Sequence, residues 1–290
     1  MDSKVAGYVA KLRDVLKEIE SLPLEQRREK LLQWREPFPQ HLYHYRGYDG
    51  ANDARNLQDM LVESQLFLRA PKDFNDPFEC RFQFGKLGST MEVYDYLISA
   101  AASQGESLAV NPYIAAGMIG KGRDGIEKDA INDTNRRLQE VGIYCLTETY
   151  KNILMWSHYG QSHRGVCIEF DVARGVKTFG LSRKVRYDGP MPTLDYPDST
   201  PHAILSPIFR KSGEWGYEEE WRIAIPSGSH QHIDFPPGAV TAVIFGCAAT
   251  DDARKVVDGL LEERAKKGLP DVAQRHLKRA DRQYIVQDDP

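Results

Sequence analysis

Apolar residues recur at helical spacing from the start of the chain. Val5, Tyr8, Val9, Leu12, Leu16 and Ile19 share one face of a 3.6-residue period, which predicts a helix from about residue 4. A second helix follows from Pro23 through Trp34, and Pro37 and Pro39 break the chain after it. Further helices are predicted over Asn56 to Val62, with Leu57, Met60 and Leu61 inward, over Met91 to Ala102 and over Gly125 to Val141. Another runs from Asp251 to Lys267, with Asp251 as its cap. Short β-rich runs at 42–46, 65–69, 143–147, 165–171, 185–187, 240–246 and 283–286 read as strands. Gly105 to Gly125 is glycine-rich and expected to move, and the five prolines between 190 and 207 mark a long loop.

Strands separated by helices and long loops, without strict βαβ alternation, predict an α+β fold: a mixed, mainly antiparallel sheet with flanking helices. Residues 1–36 read as an N-terminal helical extension and 37–290 as one α+β domain. No G-x-G-x-x-G follows a strand and no Walker A loop is present, which argues against Rossmann and P-loop enzymes. The 290 residues allow a substantial core, and 41% hydrophobic and 28% charged residues are those of an ordinary globular chain. A net charge of −4 gives no global attraction to nucleic acid or an anionic membrane. No apolar run is long enough to span a bilayer and Met1-Asp-Ser-Lys is no signal peptide, so no membrane partner and a cytoplasmic location are expected. Cys80, Cys145, Cys167 and Cys247 are scattered and suit reduced thiols better than zinc or a disulfide.

The segment Trp215-Gly-Tyr-Glu-Glu-Glu-Trp-Arg-Ile-Ala-Ile225 is the most informative in chemistry. Read as a strand, it puts Glu218, Glu220, Arg222 and Ala224 on one face and Tyr217, Glu219, Trp221, Ile223 and Ile225 on the other. Two carboxylates and a guanidinium on one face suit a cationic or hydroxyl-bearing ligand; an exposed Glu–Arg ladder is the plainer explanation. Three more clusters accompany it. Leu42-Tyr-His-Tyr-Arg46 offers Tyr45, with His44 and Arg46 to hold a dinucleotide and its phosphate. Asn75-Asp76-Pro77 is strong turn chemistry, set among Phe74, Phe78 and Glu79. Leu154-Met-Trp-Ser-His-Tyr-Gly160 presents Met155, Trp156 and Tyr159 as an aromatic wall, with His158 or His163 nearby. No H-E-x-x-H spacing occurs and no metal site is expected; no G-x-S-x-G elbow points to a serine hydrolase.

These motifs, in this order, resemble a bacterial family catalogued as domain of unknown function 2971, through Leu42–Arg46, Phe74–Glu79, Leu154–Gly160 with His163–Cys167, and Tyr217–Arg222. That resemblance runs from about residue 42 to the last strand and implies no activity. A weaker resemblance is to ADP-ribosyltransferases, including bacterial toxins. In those enzymes an early strand carries His or Arg for NAD and a late strand bears a catalytic Glu, often within Glu-x-Glu. His44 and Arg46 would fill the first position and Glu218-Glu-Glu220 the last, while a serine-threonine-serine strand of one branch is missing.

The second resemblance implies NAD as substrate, for ADP-ribosyl transfer or NAD hydrolysis, in a toxin or phage-defence effector. Glu220 would stabilise the oxocarbenium-like ribose, and Glu218 would orient or deprotonate the acceptor. Tyr45, Asn75, Asp76, Trp156, Tyr159 and Arg222 would complete the binding site. The acceptor would be protein, nucleic acid or water. Helices 4–35 and 251–267 offer amphipathic faces for self-association or a neutralising partner protein. Two alternatives stand beside this: a non-catalytic binding module built on Trp156, Tyr159, Trp215 and Trp221, and a metal-dependent nuclease or phosphodiesterase using Glu79, Glu218 and Glu220.

Overall fold

Val166-Cys-Ile-Glu-Phe-Asp171 is buried at every position, because this β-branched and aromatic run is covered on both faces of the sheet. The computed structural model describes residues 3–33, 38–103, 111–197 and 205–289. Its helices are α1 (Ser3–Glu20), α2 (Leu24–Gln33), α3 (Ala51–Leu61), α4 (Thr90–Ser103), α5 (Asn111–Gln139), α6 (Ile153–His158), α7 (Val176–Phe179) and α8 (Asp251–Lys266). Its strands are β1 (His41–Arg46), β2 (Gln65–Phe67), β3 (Gln83–Leu87), β4 (Gly142–Thr147), β5 (Val166–Asp171) and β6 (Arg183–Lys184). They continue with β7 (Thr193–Tyr196), β8 (Glu220–Ile225), β9 (His232–Asp234), β10 (Val240–Phe245), β11 (Ala273–Arg279) and β12 (Val286–Asp289).

Among the described residues eight strands form one sheet in the order β12-β11-β10-β5-β1-β4-β8-β6. Only β10 and β11 run parallel within it, so the fold is α+β with a mixed, mainly antiparallel sheet. β2 pairs with β9 and β3 with β7 in two small sheets. One face of the main sheet carries the largest core, where Leu16, Leu57, Leu61, Phe179 and Val257 from the helices meet Phe170, Trp221 and Val243. Leu16, Ile19 and Leu31 of the first two helices are part of that core. The other face packs Tyr43, Tyr45 and Ile244 against Met155 and Trp156 of α6. No helix among the described residues is long and apolar enough to cross a membrane.

Several predicted elements shift. The loop expected over 190–207 contains β7, and the strand expected at 185–187 is β6 followed by an isolated bridge, Arg186 to Arg210. The last strand begins at Val286 rather than Gln283, and β3, β9 and β11 were not predicted. Thr250, not Asp251, caps α8: its side chain accepts the Ala253 N–H, and Asp251 is the first helical residue. The glycine-rich stretch from 111 to 125 belongs to α5, which is interrupted at Gly122 with φ of 64°. Trp34, Pro37, Pro201 and residues 105–110 lie outside the described residues.

One irregularity positions the site. β1 pairs with β5 along its length, from His41↔Asp171 to Arg46↔Val166, and β4 pairs with β8 from Gly142↔Ile225 to Thr147↔Glu220. β1 and β4 themselves pair only at Tyr43↔Thr147. Beyond that point the sheet splits. Arg69 takes the far end of β4, exchanging two backbone hydrogen bonds with Ile143 at 2.9 and 2.8 Å.

Candidate functional site

A cavity of about 530 Å³ opens in this split, a volume suited to a small ligand or cofactor. His44 bridges the separated strands: its Nδ1 lies 2.9 Å from the Cys145 carbonyl, and its ring stacks on Tyr144 at 4.6 Å. A carbonyl only accepts, so Nδ1 carries the hydrogen and Nε2 is left as an acceptor. Burial, reinforced by Arg46 and Arg69, pushes the imidazole pKa down to about 3. His44 is thus neutral, fitted to accept from a hydroxyl rather than to grip a phosphate.

At one end of the cavity lie Arg46 and Arg69, with Asp53, Asp59 and Asp73 on the same wall. Arg46 Nε is buried without a hydrogen-bond partner and sits 3.9 Å from Asp53 Oδ1. At the other end three carboxylates meet two cations. Lys211 Nζ lies 2.6 Å from Glu218 Oε2, 2.9 Å from Glu79 Oε1 and 3.7 Å from Glu220 Oε2. Arg222 holds Glu220 in a two-pronged pair, Nε to Oε1 and Nη2 to Oε2, both at 2.7 Å. Its Nη2 also reaches Glu79, and Nη1 donates to the Ile208 carbonyl at 2.7 Å. Phe74 lies under the guanidinium at 5.2 Å, and Trp215 under Lys211 at 4.5 Å. All five charged side chains are buried.

The two central glutamates are pushed apart. Burial, then the charge of Glu220, raises the pKa of Glu218 despite Lys211. Burial acts on Glu220 as well, but Arg222 and Lys211 outweigh it and hold that carboxyl below its ordinary value. Tyr159 donates its hydroxyl to Glu218 Oε1 at 2.6 Å, and burial with that charge raises the phenol's pKa. A buried carboxylate with raised pKa beside an ionised one is the arrangement that separates acid–base from electrostatic roles.

The chain reaches this geometry differently from a continuous strand. Residues 213–218 form a 3₁₀ helix, Glu219 takes a left-handed conformation with φ of 45°, and β8 begins at Glu220. The predicted alternation holds from Glu220 onward: Glu220 and Arg222 line the cavity while Trp221 and Ile223 enter the core. Glu218 arrives from the preceding turn, anchored by its carbonyl, which accepts from Thr147 Oγ1 at 2.6 Å.

Tyr45, Asn75, Tyr159, Glu218, Glu220 and Arg222 all border the cavity together with His44 and Arg46. Tyr45 does so with its hydroxyl committed to the Thr149 carbonyl at 3.0 Å. Two expected ligand contacts are corrected. Asp76 shapes the turn that delivers Glu79, its Oδ1 accepting the Phe78 N–H at 2.9 Å. Trp156 is fully buried, meets Tyr45 edge-on at 4.9 Å and donates Nε1 to the Tyr150 carbonyl at 2.8 Å, so it supports the sheet. His163 stacks on that same indole, at 6.2 Å, and does not line the cavity. Of the aromatic cage, Trp156 and Trp221 are core residues and Tyr159 borders the cavity.

Gln161, Ser162 and His163 all have positive φ, a costly run for non-glycine residues. It is fixed from several sides: Gln161 Oε1 accepts the Tyr48 N–H at 2.8 Å, and the His163 carbonyl accepts the Ala248 N–H at 3.0 Å. Gly165 follows because a Cβ there would overlap the Arg46 carbonyl. This motif therefore secures the end of β1 that carries Arg46.

Lys211, Arg69 and Phe67 were not anticipated. Arg69 had a readable signal, since Gln65, Phe67 and Arg69 alternate with Leu66 and Leu68. Among the described residues no group of three or more His, Cys, Asp or Glu is placed to hold a metal ion. Glu79, Glu218 and Glu220 are each committed to Lys211, Arg222 or both.

A family model described as Protein of unknown function (DUF2971) matches residues 155–223. No curated protein and no solved structure gives a significant match to the chain. The matched stretch contains Tyr159, Lys211, Glu218, Glu220 and Arg222, while His44, Arg46 and Glu79 precede it. Over the segment that carries Lys211, Glu218, Glu220 and Arg222, the chain is similar to the DUF2971 family.

Proposed function

We propose that this chain cleaves the bond between nicotinamide and ribose in NAD, passing the ADP-ribosyl group to water or to a protein or nucleic-acid acceptor. The observation that carries this reading is the arrangement along one cavity, with Arg46 and Arg69 at one end and the ion-paired Glu79, Glu218 and Glu220 at the other. β4 is the ruler: Arg69 stands opposite Ile143 and Glu220 opposite Thr147, four residues or ~13 Å apart. Counted from Tyr43↔Thr147, Arg46 lies three residues towards the Arg69 end, ~10 Å from the acidic end. NAD has the matching polarity, with an anionic pyrophosphate one ribose away from a cationic pyridinium. Its pyrophosphate would face Arg46 and its nicotinamide ribose the carboxylates, with His44 Nε2 accepting from a ribose hydroxyl.

Bond cleavage returns the C1′–N electron pair to the pyridinium, so nicotinamide leaves neutral and positive charge develops on the ribose. Three carboxylates against two cations leave one net negative charge at this end when all are ionised. Glu220, kept ionised by Arg222, stabilises the developing cation, and the fixed geometry requires no reorganisation. Glu218, with its raised pKa, takes the proton of the attacking water or acceptor hydroxyl.

The test is NAD consumption across pH by the wild type, Glu220→Gln and Glu218→Gln. Glu220→Gln should lose about 10²–10³-fold in turnover with NAD binding retained. A general base works ionised, so the wild-type rate should rise with pH through the Glu218 pKa, and Glu218→Gln should abolish that rise. Absence of nicotinamide release by the wild type, with and without added protein and nucleic acid, contradicts the proposal.

A further inference from the structure

The strand leading into the arginine end has one face in the core and one in the cavity. Leu66 and Leu68 are fully buried, while Gln65, Phe67 and Arg69 line the cavity wall. The Phe67 ring is braced by two imidazoles, His230 at 6.2 Å and His232 at 5.2 Å between centroids. Each imidazole is itself held: His230 Nε2 lies 2.7 Å from Asp73 Oδ2, and His232 Nε2 lies 3.3 Å from Asp59 Oδ2. Gln65 donates Nε2 to Asp234 Oδ1 at 2.9 Å, which leaves its Oε1 as an acceptor. Arg69 has no side-chain partner among the described residues, and at the same end Arg46 Nε is a buried donor without an acceptor.

The geometry points to a subsite for the AMP half of the dinucleotide, with the purine stacked on Phe67 and its phosphate between Arg69 and Arg46. This deepens the NAD reading and rests on it for the identity of the whole ligand. Residues two apart on a strand stand ~7 Å apart, the scale of the span from a nucleobase to its 5′-phosphate. A ring held rigid by its neighbours stacks a base with little entropy to lose. The Gln65 acceptor suits the exocyclic amino group of adenine. The buried Arg46 Nε donor without an acceptor, with the exposed guanidinium of Arg69 at the same end, suits a phosphate oxygen.

Titration calorimetry of the full chain with AMP, adenosine and nicotinamide mononucleotide tests this subsite. The wild type should bind AMP. Phe67→Ala should weaken AMP and adenosine about tenfold or more, the size of one lost stacking contact, and leave nicotinamide mononucleotide unchanged. Arg69→Ala should weaken AMP and spare adenosine. Phe67→Leu, which keeps the bulk and removes the ring, should behave as Phe67→Ala with an unchanged thermal midpoint. Failure of the wild type to bind AMP, or AMP binding indifferent to both positions, overturns the subsite. The two proposals fail separately. A wild type that binds AMP through Phe67 yet leaves NAD intact keeps the subsite and refutes cleavage. Cleavage with an unchanged KM in Phe67→Ala keeps the chemistry and refutes the subsite.

Discussion

Lys211 holds together a group of charges that would otherwise repel. Its ammonium is the shared partner of Glu79 and Glu218, and Arg222 alone cannot serve all three carboxylates. Lys211→Met should therefore cost about 3–5 kcal/mol, the cost of leaving buried charge uncompensated, read by urea unfolding at pH 7. A loss under 1 kcal/mol would mean that water reaches and screens these carboxylates. His44 gives a pH signature. Its native pKa of about 3 lies below the ordinary 6.5, so its contribution is fully present above pH 6.5. That contribution is lost as pH falls towards 3, with a slope of up to about 1.4 kcal/mol per pH unit. Glu218 acts in the opposite sense: its raised pKa favours the fold below pH 4.5, and that contribution is lost as pH rises through the native value. Urea unfolding between pH 4 and 7 should show the slope in the wild type and its reduction in His44→Gln; parallel curves would contradict it. The convergence of these side chains was legible in residue type and order, since Glu218, Glu220, Arg222, His44 and Arg46 all line the cavity. Lys211 was not, because beside Arg210 it looks like any solvated pair of cations.

The elements that matter most are β1 and β4, which stay together at one residue pair and then part. Their apolar character was readable; the split was not, because pairing depends on partners far apart in sequence. The long strand expected from Trp215 failed for a local reason, a left-handed Glu219 that no glycine or asparagine announced. β11 went unseen because Ala273-Gln-Arg-His-Leu-Lys-Arg279 is polar, with most of its residues outside the core. Trp156 was assigned to a wall by helical spacing; Met155 and Tyr159 do line the cavity, but spacing cannot say that the indole turns into the sheet. Trp156→Ala should therefore act as a core truncation, costing about 3–5 kcal/mol. Near-full ligand affinity in the molecules that remain folded would agree with that role. A tenfold loss of affinity without loss of stability would return the indole to the binding surface.

For the whole molecule, the first two helices are built into the fold rather than appended to it. Leu16 is fully buried, and Ile19 and Leu31 join the same core as Phe170 and Phe179. Removing residues 1–33 should expose that core and abolish cooperative thermal unfolding followed by circular dichroism. A shortened chain with the wild-type midpoint would contradict it. The cavity between the separated strands holds Arg46 and Arg69 at one end and the buried, ion-paired Glu79, Glu218 and Glu220 at the other. The most direct measurement is a proton NMR time course of NAD with the purified chain, following free nicotinamide. The wild type should release nicotinamide and Glu220→Gln, prepared identically, should not. Intact NAD with both proteins, in the presence of protein and nucleic-acid acceptors, would contradict the account.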